Sequence, residues 1–371
     1  MLMQHTMSNT QLRIATCTPV SFHANDYFYT RDTGLICREL KALGHECQVI
    51  MPLPAHDDDI QTPELLRVKR SSLISIPWWK AQNLDAVILY SWGDPRYTGI
   101  ASAIHHAGCK LIIHFDSSGE LHEHLQRSGS RLLNKTKDKL INIIRKIHLG
   151  YADIITTSLP CIRNFKNDAA YGSAIADKCR EFPTPVERCF RYDGRAKEAR
   201  IICTGSWRNP VKRTGVLMST LHKTLAQHPL AHADICGPVT PELQHLHDQL
   251  PPGIRQRIHL HGFCRHEELK ELYNRASISL CTSESEGSHA ASAEALCCGC
   301  SIVCPPRPQL NVVRWYTSRC SGTVSAEDTP DSLCQALLSE LENWNMGVRN
   351  ATAISETWQP CFQVSALAGL I

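Results

Sequence analysis

The order of apolar runs along this 371-residue chain predicts an α/β protein made of two doubly wound, parallel-sheet domains. Two observations carry the prediction. Short apolar runs without polar alternation recur between helix-like stretches, as expected of strands buried on both faces of a parallel sheet. The pattern breaks once, at Phe182-Pro-Thr-Pro-Val-Glu187, and then restarts. Two prolines two residues apart exclude a helix there and read as a rigid connector.

In the first half, residues 12–16 form the first expected strand. Residues 33–43 follow, with Leu35, Ile36, Leu40 and Leu43 near helical spacing, and Gly44 ends the helix. Residues 47–51 make the second strand. Residues 52–69 are polar and contain prolines, so they read as loop, with Asp57-Asp-Asp59 in a solvated turn rather than a metal-binding Asp-x-Asp. A short strand is expected at 73–76. Apolar runs at 86–90 and 111–115 flank a helix-like 98–107, and 154–157 adds another strand. Residues 131–149 are basic and amphipathic, with Arg131, Lys135, Lys137, Lys139, Arg145 and Lys146 beside Leu132, Leu133, Leu140, Ile144 and Ile147. A helix burying one face in the domain is the preferred reading, and a membrane-surface helix the alternative.

After the connector, strands are expected at 201–204, 233–236, 258–260, 278–281 and 301–304. Helices fit 215–228, 242–249, 266–274, 290–298 and 330–343. The last stretch carries Ile354, Trp358, Phe362 and Leu367 and reads as a final helix broken near Pro360. The expected organisation is a disordered tail at 1–10, a first domain at 11–185 and a second at 186–345. A helical segment at 346–371 then packs back towards the first domain.

Composition narrows the function classes. Hydrophobic residues at 43% and charged residues at 20% are those of a globular protein. A net charge of +3 gives no nucleic-acid footprint. No apolar run approaches the roughly 20 residues of a membrane span, and the polar N-terminus lacks the apolar centre of a signal peptide. The 18 cysteines therefore read as reduced thiols of a cytoplasmic protein, with the inner face of a membrane left open. Cys297-Cys298-Gly-Cys300 has no second pair at a zinc spacing and reads as packing.

The stretch with the most chemistry runs from Ser283 to Cys304. Glu286 and Glu294 stand there with seven residues between them, Glu286 in a loop and Glu294 on the first turns of a helix. The amides of Gly287, Ser288, His289 and Ala290 would point out of that helix start, where a phosphate binds well. Carboxylates on each side of an anion site suit the hydroxyls of a sugar and a ribose. A second loop, Thr204-Gly-Ser-Trp-Arg-Asn-Pro-Val-Lys-Arg-Thr-Gly215, follows the first strand of the second domain. It matches neither the dinucleotide fingerprint nor a P-loop. Its Arg208, Lys212 and Arg213 could neutralise a diphosphate.

Together these stretches resemble the retaining glycosyltransferases of family four. Glu286-Gly287 through Cys304 looks like the family's Glu-Gly … Glu-Ala-Met-Ala-Cys-Gly-x-Pro-Val-Val signature. Gly205 to Gly215 looks like its Gly-Arg-x-x-x-x-Lys-Gly loop. Ala233-Asp-Ile-Cys-Gly-Pro238 and Ile258-His-Leu-His-Gly-Phe263 resemble two more of its strand ends. In the first domain Leu111-Ile-Ile-His-Phe-Asp116 resembles the strand carrying the family's His-Asp pair, and Ala152-Asp-Ile-Ile-Thr-Thr-Ser158 its Ala-Asp-x-Val-x-x-Ser segment. The Gly-Gly loop after the first strand is absent, replaced by Pro19-Val-Ser-Phe-His-Ala-Asn-Asp26.

The resemblance implies the GT-B fold of two facing Rossmann-like domains with a deep cleft between them. It implies transfer of a sugar from a UDP- or GDP-linked donor, with retained configuration and no essential metal or other cofactor. Glu286 and His114 would act at the donor sugar. Arg208, Lys212, Gly287, Ser288, His289, Ala290, Glu294 and Phe263 would hold the nucleotide. The acceptor is a hydroxyl of a glycan, a lipid-linked molecule or a small molecule, and peripheral membrane contact stays open. A nucleotide-sugar epimerase, a phosphorylase and a non-catalytic sugar-nucleotide binder are the alternatives on the same fold.

Overall fold

The computed structural model describes residues 11–116, 131–168 and 171–371. Two parallel sheets organise them. The first takes seven strands, β1 (Arg13–Cys17), β2 (Glu46–Pro52), β3 (Leu65–Val68), β4 (Ala86–Tyr90), β5 (Lys110–His114), β6 (Ile154–Thr157) and β7 (Cys179–Glu181), in the order β3-β2-β1-β4-β5-β6-β7. The second takes six, β8 (Glu198–Thr204), β9 (His232–Cys236), β10 (Ile258–Gly262), β11 (Ala276–Leu280), β12 (Ser301–Cys304) and β13 (Gly322–Val324), in the order β10-β9-β8-β11-β12-β13. Every strand pairing among the described residues is parallel, as in β1 with β4 and β8 with β11. Each sheet reverses its winding beside its first strand, so a crevice opens beyond the carboxyl ends at that point.

The apolar runs are strands because both sheet faces are covered. Ala86–Tyr90 is buried at every position, and so are Ala276–Leu280 and Ser301–Cys304. One apolar layer of the first domain joins Ala15, Val87, Leu89, Leu111, Ile113 and Trp79. The opposite layer joins Ile14, Val49, Ile88, Ile112 and Tyr90. Cys297, Cys298 and Cys300 pack in the core of the second domain beside Trp358, and none of the 18 cysteines is in a disulfide.

Three expectations differ from the structure. Residues 73–76 are not a strand. Ser75 caps the helix Ile76–Gln82 by accepting from Trp78 N, with Pro77 in its first turn, and that capping chemistry outweighs the local apolar run. The strand of this region is instead β3, which pairs with β2 inside the stretch read as loop. Asp59 is not solvated: it is buried, accepts from Ala24 N and His56 N at 2.8 and 3.0 Å, and pairs with Arg67 at 2.7 Å. The final helix breaks near Pro360 as expected: Ala351–Phe362 ends two residues after the proline, Gln363 is extended, and Val364–Ala368 starts a new helix.

The connector is buried from Phe182 to Val186, and Val186 N donates to Phe362 O at 3.1 Å. Trp358 and Phe362 belong to the core of the second domain, whereas Val364 and Leu367 join the first. Lys110 Nζ donates to the carbonyls of Leu370 and Ile371 at 3.0 and 2.8 Å. The domains are thus tied at two crossings, and Glu187 clasps them further. Its carboxylate accepts from Arg38 of the first domain at 2.7 Å and contacts His266 of the second at 2.6 Å.

Candidate active site

The carboxyl ends of the two sheets face each other across a cleft of about 530 Å³. From the second domain it is lined by the ends of β8 (Gly205, Lys212), β9 (Cys236 to Pro238), β10 (Phe263, His266) and β11 (Glu286 to Ala291), and by Glu294. From the first it is lined by Tyr27, Arg31, Asp32, Tyr90, Asp116 and the connector's Thr184.

The second domain's wall is built locally. Trp207 is buried and its indole N–H donates to Cys236 O at 3.0 Å, which fixes the loop after β8. Gly237, at φ 123°, approaches Gly205 O so closely that any Cβ would collide with it. Asn209 caps the short 3₁₀ turn Pro210–Lys212 by accepting from Val211 N at 3.1 Å. That turn brings the Lys212 ammonium back into the cleft, where it donates to Glu286 Oε1 at 2.5 Å. Glu286 follows β11, and its backbone N–H is held by Gln309 O at 3.2 Å. Burial alone would raise the Glu286 pKa, but the His289 and Lys212 charges outweigh it and hold the carboxylate below its usual range.

His289 stands directly before the helix Ala290–Cys297 at φ 48°, a strained conformation for a side chain of its size. Its Nδ1 meets Ser292 Oγ at 2.7 Å. Burial opposes its charge, yet Cys281 and Glu286 raise its pKa. Glu294 lies one turn further along. Burial raises its pKa, and Tyr273 reaches it only with a long contact of 3.4 Å, the hydroxyl pointing mainly to Thr204 at 3.0 Å. A carboxylate so weakly engaged can accept hydroxyls from a ligand.

The first domain's wall is assembled from separate strand ends. Arg31, directly before the helix Asp32–Ala42, donates to Asp32 at 3.0 Å and to Tyr27 OH at 2.8 Å. Tyr90 OH reaches Asp32 at 3.3 Å. Asp116, two residues beyond β5, crosses the cleft. Its Oδ1 accepts from Ser288 N and Ser288 Oγ, both at 2.7 Å. A carboxylate therefore occupies the amide site at the helix start where a phosphate was expected. Burial raises the Asp116 pKa, and neighbouring Asp32 and Glu286 add to the shift. A Cβ on Gly287 would lie 2.5 Å from Asp116 Oδ1, so only glycine permits this approach.

The structure brings Glu286, Gly287, Ser288, His289, Ala290, Glu294, Lys212 and Phe263 to the cleft. It does not bring His114 or Arg208 there. His114 is 0% exposed, stacks on Tyr90 with ring centroids 4.3 Å apart, and meets Thr156 Oγ1 at 3.1 Å. Burial drops its pKa to about 3. The reason is register: His114 still pairs with Tyr90 and Thr156 inside the sheet. The same strand face reaches the cleft one step later, at Asp116. Arg208 is exposed because the inward turn of its neighbour Trp207 sends it outward. Arg213 is spent on Asp328 at 2.6 Å. The first domain supplies the cleft with Arg31, which sequence reasoning missed. Its one signal was its place at a helix start shortly after β1.

Residues 198–343 match the family described as "Glycosyl transferases group 1". No curated protein matches the chain. Among solved structures, sucrose-phosphate synthase from Thermosynechococcus elongatus is similar at a TM-score of 0.63 and 14% identity, over 96% of this chain and 97% of that one. Anabaena HepE in complex with UDP reaches 0.65 at 14% identity, over 97% and 98%. A protein described as a putative UDP-N-acetylglucosamine 2-epimerase from Listeria monocytogenes reaches 0.60 at 12% identity, over 97% and 95%. The chain thus has the GT-B fold, and its second domain carries the match to the glycosyl transferases of group 1.

Proposed function

We propose that the cleft transfers a sugar from a nucleoside-diphosphate donor to a hydroxyl acceptor, with retained configuration. The carrying observation is the half-buried Lys212–Glu286 pair beside the start of the helix Ala290–Cys297, with the weakly engaged Glu294 one turn on. HepE is described in complexes with UDP, with UDP-glucose, and with UDP and glucose, which supports a uridine diphosphate sugar as donor here.

In this reading Glu294 accepts the ribose hydroxyls, and Phe263 with its backbone borders the base. The diphosphate lies against Lys212 and the amides at Gly287 and Ser288, displacing the Asp116 carboxylate. When the bond from the anomeric carbon to the diphosphate oxygen breaks, negative charge grows on that oxygen. Lys212 and the helix start stabilise it. Glu286, kept ionised, holds donor-sugar hydroxyls and lies near the cationic anomeric carbon. The acceptor oxygen attacks from the face the diphosphate leaves, and its proton passes to a leaving phosphate oxygen, so configuration is retained without a protein nucleophile. Arg31 adds a cation from the opposite wall. The charge on the leaving group is met by Lys212, Arg31 and amides, so this reading needs no metal ion.

The test is a thermal-shift screen of the full chain against UDP, GDP and their sugar conjugates, followed by transfer assays. A nucleotide at 100 times its dissociation constant should stabilise by about 2.7 kcal/mol. No shift with any of them overturns the reading. Consumption of a UDP-sugar with no acceptor present, giving an isomeric UDP-sugar, assigns the cleft to epimerisation instead.

A further inference from the structure

The helix Arg131–Gly150 of the first domain buries two polar side chains on its inner side and leaves three large apolar ones exposed on its outer side. On its inner side Arg145 is buried and donates from Nε to Gly93 O at 3.0 Å. His148 is buried and meets Ser91 Oγ at 2.9 Å, and Leu149 is buried beside it. On its outer side Leu140, Ile143 and Ile147 are 56%, 54% and 50% exposed. A spacing of three and then four residues sets these three on one stripe. Lys137, Lys139 and Lys146 are exposed as well. At about 100° per residue, Lys139 and Lys146 border one side of the stripe and Lys137 the other. A helix whose outer face meets only water has the opposite arrangement, with charges out and apolar residues in.

We infer that the outer face of the helix Arg131–Gly150 docks on an anionic lipid surface. Leu140, Ile143 and Ile147 enter the boundary between headgroups and acyl chains, and the flanking lysines pair with lipid phosphates. An apolar stripe rimmed by cations matches that surface in both chemistry and charge. The same rim argues against a second copy of the chain, since a two-fold contact through the stripe would set lysines against lysines. The inference does not depend on the transfer reading. It does have a consequence for the cleft. Ser91 and Gly93, which receive His148 and Arg145, directly follow Tyr90, and Tyr90 lines the cleft.

The full chain is tested by flotation with vesicles of phosphatidylcholine alone and with one quarter phosphatidylglycerol. Binding to the anionic vesicles alone, released by high salt, is expected. Ile143→Glu with Ile147→Glu should weaken it about 10-fold or more, and Lys137→Glu with Lys139→Glu and Lys146→Glu should do the same. Circular dichroism and thermal midpoint should stay as in wild type, because all five side chains are exposed. Three results would overturn the inference: no binding by the wild type, variants that bind as it does, or a wild-type dimer that Ile143→Glu converts to monomer without vesicle binding by either.

Discussion

The two walls of the cleft are made in opposite ways. The second domain's wall is centred on one stretch of chain. Glu286, Gly287, Ser288, His289, Ala290 and Glu294 fall within nine consecutive residues, and Lys212, Phe263, His266 and the strand ends at Gly205 and Cys236 to Pro238 complete the wall around them. The first domain's wall comes from the ends of β1, β4 and β5 and from the connector, each giving one or a few residues. The two walls already touch through Asp116 and Ser288. A wall made by one helix start keeps its geometry through local hydrogen bonds. A wall gathered from several strand ends keeps it only as long as the sheet holds its register. The first should therefore tolerate little change at any position, and the second should show unequal costs.

The largest effect is expected on the local wall. Glu286→Gln should lower kcat roughly 100- to 1,000-fold while leaving UDP affinity within about threefold, because the charge is needed at the reacting centre rather than for the nucleotide. Steady-state kinetics beside calorimetric titration reads both, and unchanged kcat sinks the role given to Glu286.

On the gathered wall, Asp116→Asn removes an anion from the site proposed for the diphosphate. UDP should bind several-fold tighter, by about 1 kcal/mol, while Ser288 keeps a polar partner. Weaker UDP binding would show that Asp116 supports the nucleotide rather than competing with it.

Next is the pH dependence at Glu294. Its pKa is raised because burial opposes its charge, and hydroxyl donors bind the ionised form. UDP affinity should therefore rise as the pH climbs through that raised pKa and fall below it. Comparison with Glu294→Gln isolates the effect from the titration of the phosphate itself. Identical pH profiles for the two proteins would remove Glu294 from the ribose site.

A stability change without a binding change is expected at His114. His114→Phe loses the hydrogen bond to Thr156 and should cost about 1–3 kcal/mol in chemical denaturation, with UDP affinity within about twofold. The smallest effect belongs to Arg208→Ala, which should alter neither stability nor UDP affinity by more than about twofold. A large loss of affinity there would mean that the loop after β8 turns over when nucleotide binds.

Most strands and helices were legible because burial on both sheet faces demands unbroken apolar runs, and Gly44 and Gly299 mark helix ends through their positive φ. The short edge strand β3 was not legible, since an edge position asks little of its sequence. Ser75 was read by its apolar neighbours when its capping bond decided the matter. At the site, eight of the ten residues named from sequence line the cleft, and their grouping in one stretch explains this. His114 and Arg208 stand off the cleft for one reason: a motif gives the order of residues but not which side chain first clears the sheet or turns inward.

The sequence by itself determined the two doubly wound domains, the connector between them, and the carboxylates and lysine of the cleft's second-domain wall. All of these follow from short-range patterns of burial, capping and charge. Only the tertiary structure decided which residues answer from the other side. Asp116, Arg31 and Tyr90 are far apart in the chain and share no local pattern. They share the cleft with the start of the helix Ala290–Cys297, and Asp116 touches it, because strand register and the two chain crossings set the sheets beside each other. The apolar outer stripe of the helix Arg131–Gly150 was settled the same way, since amphipathicity alone does not say which face turns inward.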